Sequence, residues 1–128
     1  MICVLRIGGI ELNPDLVRQT LSLAPYRTDV RGKDAATVTC LHYDVVDDIS
    51  CRPDQFAAKV HQFLSTHGAE LESVALLEGI EFRILDFGLM LQEDRASVSL
   101  ELDEALIHAL SRLDLAVSIS TYPVSESA

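Results

Sequence analysis

Two short segments constrain the fold of this chain more than any others. Leu12-Asn13-Pro14-Asp15-Leu16-Val17 and Leu102-Asp103-Glu104-Ala105-Leu106-Ile107 each set an Asn or Asp just before an apolar-periodic stretch. A side-chain oxygen there caps a helix by accepting from its first free N–H groups. Pro14 suits the first helical position, and Asp15 and Glu104 lie near the positive end of the helix dipole. Each segment lies beside a strand-like run. The chain therefore reads as strand–helix units used more than once. That pattern supports an architecture and supplies no chemistry.

The rest of the chain fills in around these units. Ile2 to Ile7 reads as a buried strand, rich in β-branched residues, that ends or bends at Gly8-Gly9. The first helix buries Leu16, Val17, Leu21 and Ala24 and stops at Pro25. Tyr26 to Ala35 reads as a polar connection, and Thr37 to Val46 as a second strand closed by Asp47-Asp48. Pro53 opens a second helix with the inward stripe Phe56, Ala57, Val60, Phe63 and Leu64, and Gly68 is placed to stop it. Ser73 to Leu77 reads as a short strand, Glu81 to Leu91 as a long one bent near Gly88, and Val98 to Leu100 as a short extension. Leu106, Ala109, Leu110 and Leu113 form the stripe of a third helix, and Leu115 to Thr121 alternate as a final strand.

The expected class is α+β: a mixed sheet with helices mainly on one face. From residue 37 on, the expected order is the β-α-β-β-α-β of a ferredoxin-like unit, preceded by an extra β-α. Residues 1–122 are expected to form one domain, with 123–128 as a frayed tail.

Composition excludes several classes. At 128 residues and 48% hydrophobic, the chain is too apolar for disorder and long enough for one core. No apolar run is long enough to span a bilayer, and the start, broken at Arg6, is unlike a signal peptide. The expected location is the cytoplasm. Cys3, Cys40 and Cys51 are an odd count without metal-ligand spacing, and read as reduced, mostly buried thiols.

The formal net charge of −10 argues against binding a nucleic-acid backbone. The charge is also uneven. Residues 1–33 hold five cations and three anions, whereas residues 34–128 hold five cations and seventeen anions. Such a field can steer a basic partner toward the chain, or serve only to keep the protein soluble.

The run Leu5-Arg6-Ile7-Gly8-Gly9-Ile10-Glu11-Leu12-Asn13-Pro14-Asp15-Leu16-Val17, with Leu21-Ser22-Leu23-Ala24-Pro25-Tyr26-Arg27 and Arg31-Gly32-Lys33, resembles the opening of a bacterial family, the domain of unknown function 4279 (DUF4279). Leu106 to Tyr122 is similar to that family's closing helix and its strand ending in tyrosine. Residues 47–95 match only in their pattern of elements. The chain departs from the family in having no tryptophan; His42-Tyr43 stands at the corresponding place. The resemblance implies no enzymatic activity. It implies a setting near secreted-toxin systems, and so an immunity role.

Few residues suggest a site. His42, His61, His67 and His108 show no metal pattern; His61 and His67 lie about 240° apart around a helix. Gly8-Gly9 lacks the further glycines of a phosphate-binding turn and reads as a bend or bulge. No serine sits in a nucleophile elbow. Arg27, Arg31 and Lys33 form the best candidate for holding a small anion. Asp44, Asp47 and Asp48, with Glu101 and Glu104, form the best candidate for a partner-binding acidic face; Asp103 has a competing duty as a cap. No catalytic residue, metal or cofactor is expected.

The leading functional expectation is a non-catalytic acidic binding protein of the toxin-immunity type, taking a basic protein toxin. The alternative is a regulatory module that binds a small anion, argued by fold analogy. A homodimer through an exposed strand edge is a further expectation.

Overall fold

The computed structural model describes residues 1–32 and 37–124. β1 (Ile2–Ile10) is the central strand of a five-stranded sheet. Its odd positions Cys3, Leu5 and Ile7 are fully buried on one side, while Arg6 on the other side is only half-buried. The strand runs straight through Gly8 and Gly9 and does not end or bulge there. These glycines answer to close approaches instead. A Cβ on Gly9 would collide with the Gly79 carbonyl, and one on Gly8 with the Phe82 ring.

α1 (Pro14–Thr20) starts as expected: the Asn13 side chain accepts from the Asp15 N–H at 3.0 Å. It ends before the expected Ala24. The chain turns extended at Leu21, and Glu70 takes over the Ser22 N–H at 2.6 Å. β2 (Arg27–Arg31) occupies what reads in the sequence as a polar connection. As an edge strand without a buried face, it lacks the apolar alternation that marks a strand.

β3 (Val38–Asp47) pairs antiparallel with both β2 and β1. α2 (Pro53–Ala75) runs past Gly68. Its buried stripe Phe56, Val60, Leu64 continues through Gly68 to Leu71 and Val74. The small residue faces Leu113, whose Cδ2 would lie 4.0 Å from an added Cβ. Burial of the longer stripe outweighs the helix penalty of roughly 1 kcal/mol for glycine. The expected strand at Ser73 to Leu77 is thus the end of this helix and its cap.

β4 (Phe82–Gln92) pairs antiparallel with β1 as far as Gly88 and continues as a strand beyond it. Val98 to Leu100 is not a strand. α3 (Glu104–Arg112) begins at Asp103, whose side chain accepts from the Leu106 N–H at 2.8 Å. β5 (Ala116–Val124) then pairs parallel to β4 and includes Pro123 and Val124, which were expected to fray; residues 125–128 lie outside the described residues.

The sheet order is β2-β3-β1-β4-β5, with only β4–β5 parallel. The class is α+β with a single mixed sheet. The ferredoxin-like unit expected from residue 37 is not found there, because residues 73–75 end α2 and Leu76 caps it. The succession β-α-β-β-α-β runs instead from β1 to β4, and an α-β unit follows it rather than a β-α preceding it.

All three helices join one core with one side of the sheet. Val17 of α1, Phe56 and Val60 of α2, and Leu106 and Leu110 of α3 share a buried cluster with Leu5, Leu41, Tyr43, Leu85 and Phe87. Phe56 and Phe87 meet edge to face at 5.7 Å. The helices are tied to each other by polar contacts as well. Glu70 of α2 also accepts from the Ser22 hydroxyl at 2.6 Å, and His61 of α2 meets Asp103 at 3.1 Å. Among the described residues, the opposite side of the sheet carries no helix, and there the polar strand residues gather.

Candidate functional site

Strand register alone decides which side chains share the helix-free face. Arg6 stands between His42 and Ile84, Val4 between Asp44 and Asp86, and Gly8 between Cys40 and Phe82. On the far side of β3, β2 adds Arg27, Asp29 and Arg31. A bulge in β3 sets Val4 against Asp44 but Cys3 against Val46. It brings Asp44 and Asp47, three residues apart, to the same face; in a regular strand they would point to opposite sides.

Most charges here are paired. Arg6 Nη1 donates to Asp86 Oδ2 at 2.6 Å, and the Ser120 hydroxyl donates to Asp86 Oδ1 at 3.1 Å. Asp86 is 6% exposed, so these bonds satisfy a carboxylate almost without water. Burial works against the Arg6 charge, but the hydrogen bond and charge of Asp86 outweigh it and hold the guanidinium more firmly protonated. On the other flank, Asp29 accepts from Arg27 Nε at 2.8 Å and meets His42 Nε2 at 2.9 Å. The Arg27 guanidinium, and then the His42 ring, hold the Asp29 carboxyl below the usual carboxylate range. The Tyr26 ring lies 5.9 Å from His42, tilted.

Between these pairs is a hollow of about 310 Å³, lined by Arg6, Asp29, Arg31, Cys40, His42 and Phe82. Gly8 makes room for the Phe82 ring on its wall. Desolvation pushes the Cys40 thiol up, away from the thiolate form a nucleophile needs.

Arg31 reaches this hollow and makes no ion pair among the described residues. Arg27 is engaged by Asp29, and also lines a second hollow of about 530 Å³ with Arg18 and Tyr26. Lys33 lies outside the described residues.

The expected acidic face divides. Asp44 and Asp47 share one end of the helix-free face, and neither has a cation or side-chain hydrogen bond among the described residues. Desolvation, then the charge of Asp47, pushes the Asp44 carboxyl up. Asp48 is turned to local structure: it accepts from the Ser50 N–H at 3.0 Å and hydroxyl at 2.7 Å, with Lys59 at 4.0 Å. Glu101 lines a different hollow, with Asp54 and Asp103, at the first turn of α2. Glu104 is exposed in the first turn of α3. The two groups part because residues 101–104 belong to the connection into the helix layer, whereas Asp44 and Asp47 stay in the sheet.

Sequence reasoning gave no site role to Arg6, Asp29 or Asp86, and weighed His42 only as a metal ligand without a pattern to support it. A signal existed for two of them. Arg6 and Asp86 are single opposite charges inside otherwise apolar strands, and buried charges are paired. Asp29 and His42 gave none, because their partnership depends on the pairing of β2 with β3.

Among the described residues, no group of three or more His, Cys, Asp or Glu is placed to hold a metal ion. No described helix is long and apolar enough to cross a membrane. No family model, no curated protein and no solved structure matches this chain.

Proposed function

We propose that this chain is a non-catalytic, acidic binding protein of the toxin-immunity type, which receives a basic protein on its helix-free sheet face. One observation carries the reading. Asp44 and Asp47 share one end of the face and have no cation partner among the described residues, whereas Arg6, Arg27 and His42 on the same face each have a carboxylate partner. A carboxylate kept where desolvation and a like charge both oppose its ionisation is a cost to the fold. A lysine or arginine from a partner removes that cost, so the pair favours a basic occupant. The excess of carboxylates elsewhere on the chain adds long-range attraction for such a partner. The similarity of the two ends of the chain to DUF4279 supplies the toxin context. Glu101 and Glu104, which lie apart from this pair, contribute to the field and not to the contact.

The test is co-expression with the toxin candidate from the neighbouring genes. Wild type protects the cells, and Asp44→Lys with Asp47→Lys loses most of the protection while remaining folded. Cells that die as fast with the wild-type chain as without it would falsify the proposal.

The hollow beside Arg31 favours a second reading, a regulatory module for a small anion. Arg31 supplies a guanidinium there that makes no ion pair among the described residues, and Arg6 and His42 flank it. Inorganic phosphate and small dicarboxylates are the probes. A concentration-dependent rise in melting temperature that Arg31→Ala abolishes supports this reading. A flat response counts against it.

A further inference from the structure

The two edges of the sheet are built differently. β2 presents Arg27, Asp29 and Arg31, alternating in sign along the strand. Charges of this kind deter another strand from adding to an edge. β5 has no such guard. None of its nine residues, Ala116 to Val124, is charged, in a chain whose net charge is −10. None of its side chains is buried either.

Its apolar side is also left uncovered. Val117 and Ile119 are in register with Leu85 and Phe87, so they point toward the helix layer. Leu85 and Phe87 are fully buried, yet Val117 and Ile119 remain 39% and 57% exposed. The helices close over β4 and stop short of β5. Among the described residues, the free side of this strand thus offers unpaired backbone N–H and C=O groups next to exposed β-branched side chains.

We propose that β5 pairs antiparallel with β5 of a second copy, extending the sheet across a two-fold axis. Backbone hydrogen bonding demands a strand as the occupant. Two copies, each of net charge −10, repel at long range, but that repulsion is screened by salt, and at the contact itself β5 meets a strand without charge. Antiparallel pairing about Ile119 sets that residue against its own copy and Val117 against Thr121. In that register Asp114 lies opposite Val124, so no carboxylates oppose each other. Pro123, which lacks an N–H, limits pairing to about the first seven residues of the strand. A contact this short engages fewer than the roughly 20–30 residues a side of a standard interface, so the dimer forms only at raised concentration.

Size-exclusion chromatography with light scattering on the full chain tests this. Between about 1 µM and about 300 µM, the mass is expected to rise from 14.1 kDa toward twice that value. Ile119→Lys places two ammonium groups against each other at the axis, and is expected to hold the mass at one chain throughout. Thr121→Lys, on the same side and exposed, gives an independent reading and is expected to do the same. Circular dichroism confirms that both variants keep the fold. Val30→Lys, on the opposite edge, is expected to leave the dimer intact. A wild-type monomer at the highest concentration overturns the proposal, as does an Ile119→Lys that dimerises like wild type. Masses beyond two copies, abolished by Val30→Lys, would mean head-to-tail joining of β5 to β2 and would equally overturn it.

Discussion

Phe82 and Phe87 belong to the same strand and face opposite ways. Phe87 is fully buried and packs edge to face on Phe56, under the helices. Phe82 lies half-buried over Gly8, on the helix-free face, at the wall of the hollow. The difference teaches how this sheet divides its labour. One face is closed by apolar contact with three helices. The other is held by ion pairs between strands and by an aromatic ring laid on a glycine. The first face holds the fold together, and the second is the one proposed to receive a partner.

The largest expected effect tests that division directly. Phe87→Ala should lower stability by about 3–5 kcal/mol, because it opens a cavity in a core that collapses only partly. Phe82→Ala should cost about 1 kcal/mol, since water can fill the space it leaves. Urea unfolding of both variants is the measurement. Equal losses would mean that the helix-free face is as much a core as the covered one.

Polar groups sharpen the contrast. On the helix-free face, Asp86 is nearly dry and depends on Arg6. Arg6→Met should cost about 2–3 kcal/mol, because it strands a buried carboxylate, whereas Arg6→Met with Asp86→Leu should recover most of the loss. A double variant no better than the single one would show that Asp86 is not stranded. On the covered face the reverse holds. The Tyr43 hydroxyl is buried with no hydrogen-bond partner among the described residues, and burial pushes its pKa up to about 12. Tyr43→Phe should therefore be neutral or stabilising by up to about 1 kcal/mol in the same unfolding assay. A loss would mean that the hydroxyl is bonded in solution.

The same division explains what could be read from the sequence. Elements with a buried face announced themselves: β1, β3 and β4 by apolar content, α1 and α3 by their caps at Asn13 and Asp103. The edge strand β2 did not, because Arg27-Thr28-Asp29-Val30-Arg31 buries no side and so carries no hydrophobic period. Gly68 misled because local propensity marked an end while the stripe through Leu71 and Val74 continued; tertiary burial decided. That misreading turned the end of a helix into a strand, and together with the unread β2 it shifted the expected β-α-β-β-α-β unit along the chain. The helix-free face was hardest to read. Asp29 with His42, and Asp44 with Asp47, come together only through strand register and a bulge, and register is a property of pairs of strands.

Two carboxylates carry the comparison into pH dependence, with opposite signs. Glu70 lies in the helix layer, and hydrogen bonds from Ser22 hold its carboxyl below the usual range. A depressed folded-state pKa gives stability that is present above the ordinary glutamate value and is lost as pH falls through the folded one. Glu70→Gln should therefore be less stable than wild type at neutral pH. The gap in unfolding midpoint should close as the solution is acidified below the carboxylate range. A gap that persists in strong acid would assign the tie to packing and not to charge.

Asp44 should behave in the opposite sense and by less. Its folded-state pKa is raised, so ionisation works against folding at every pH above that value, and the penalty vanishes as pH falls below the ordinary aspartate value. Asp44→Asn should accordingly stabilise the free protein at neutral pH by about 0.5 kcal/mol at most, since the group is exposed and solvent screens it. The gain should disappear in acid. If Asp44 and Asp47 instead stabilise the free fold, Asp44→Asn will lower the midpoint at neutral pH, and the pair ceases to mark a binding surface. A stabilised variant that also loses its partner would tie the two properties to one residue: the fold tolerates a strained carboxylate because the complex relieves it.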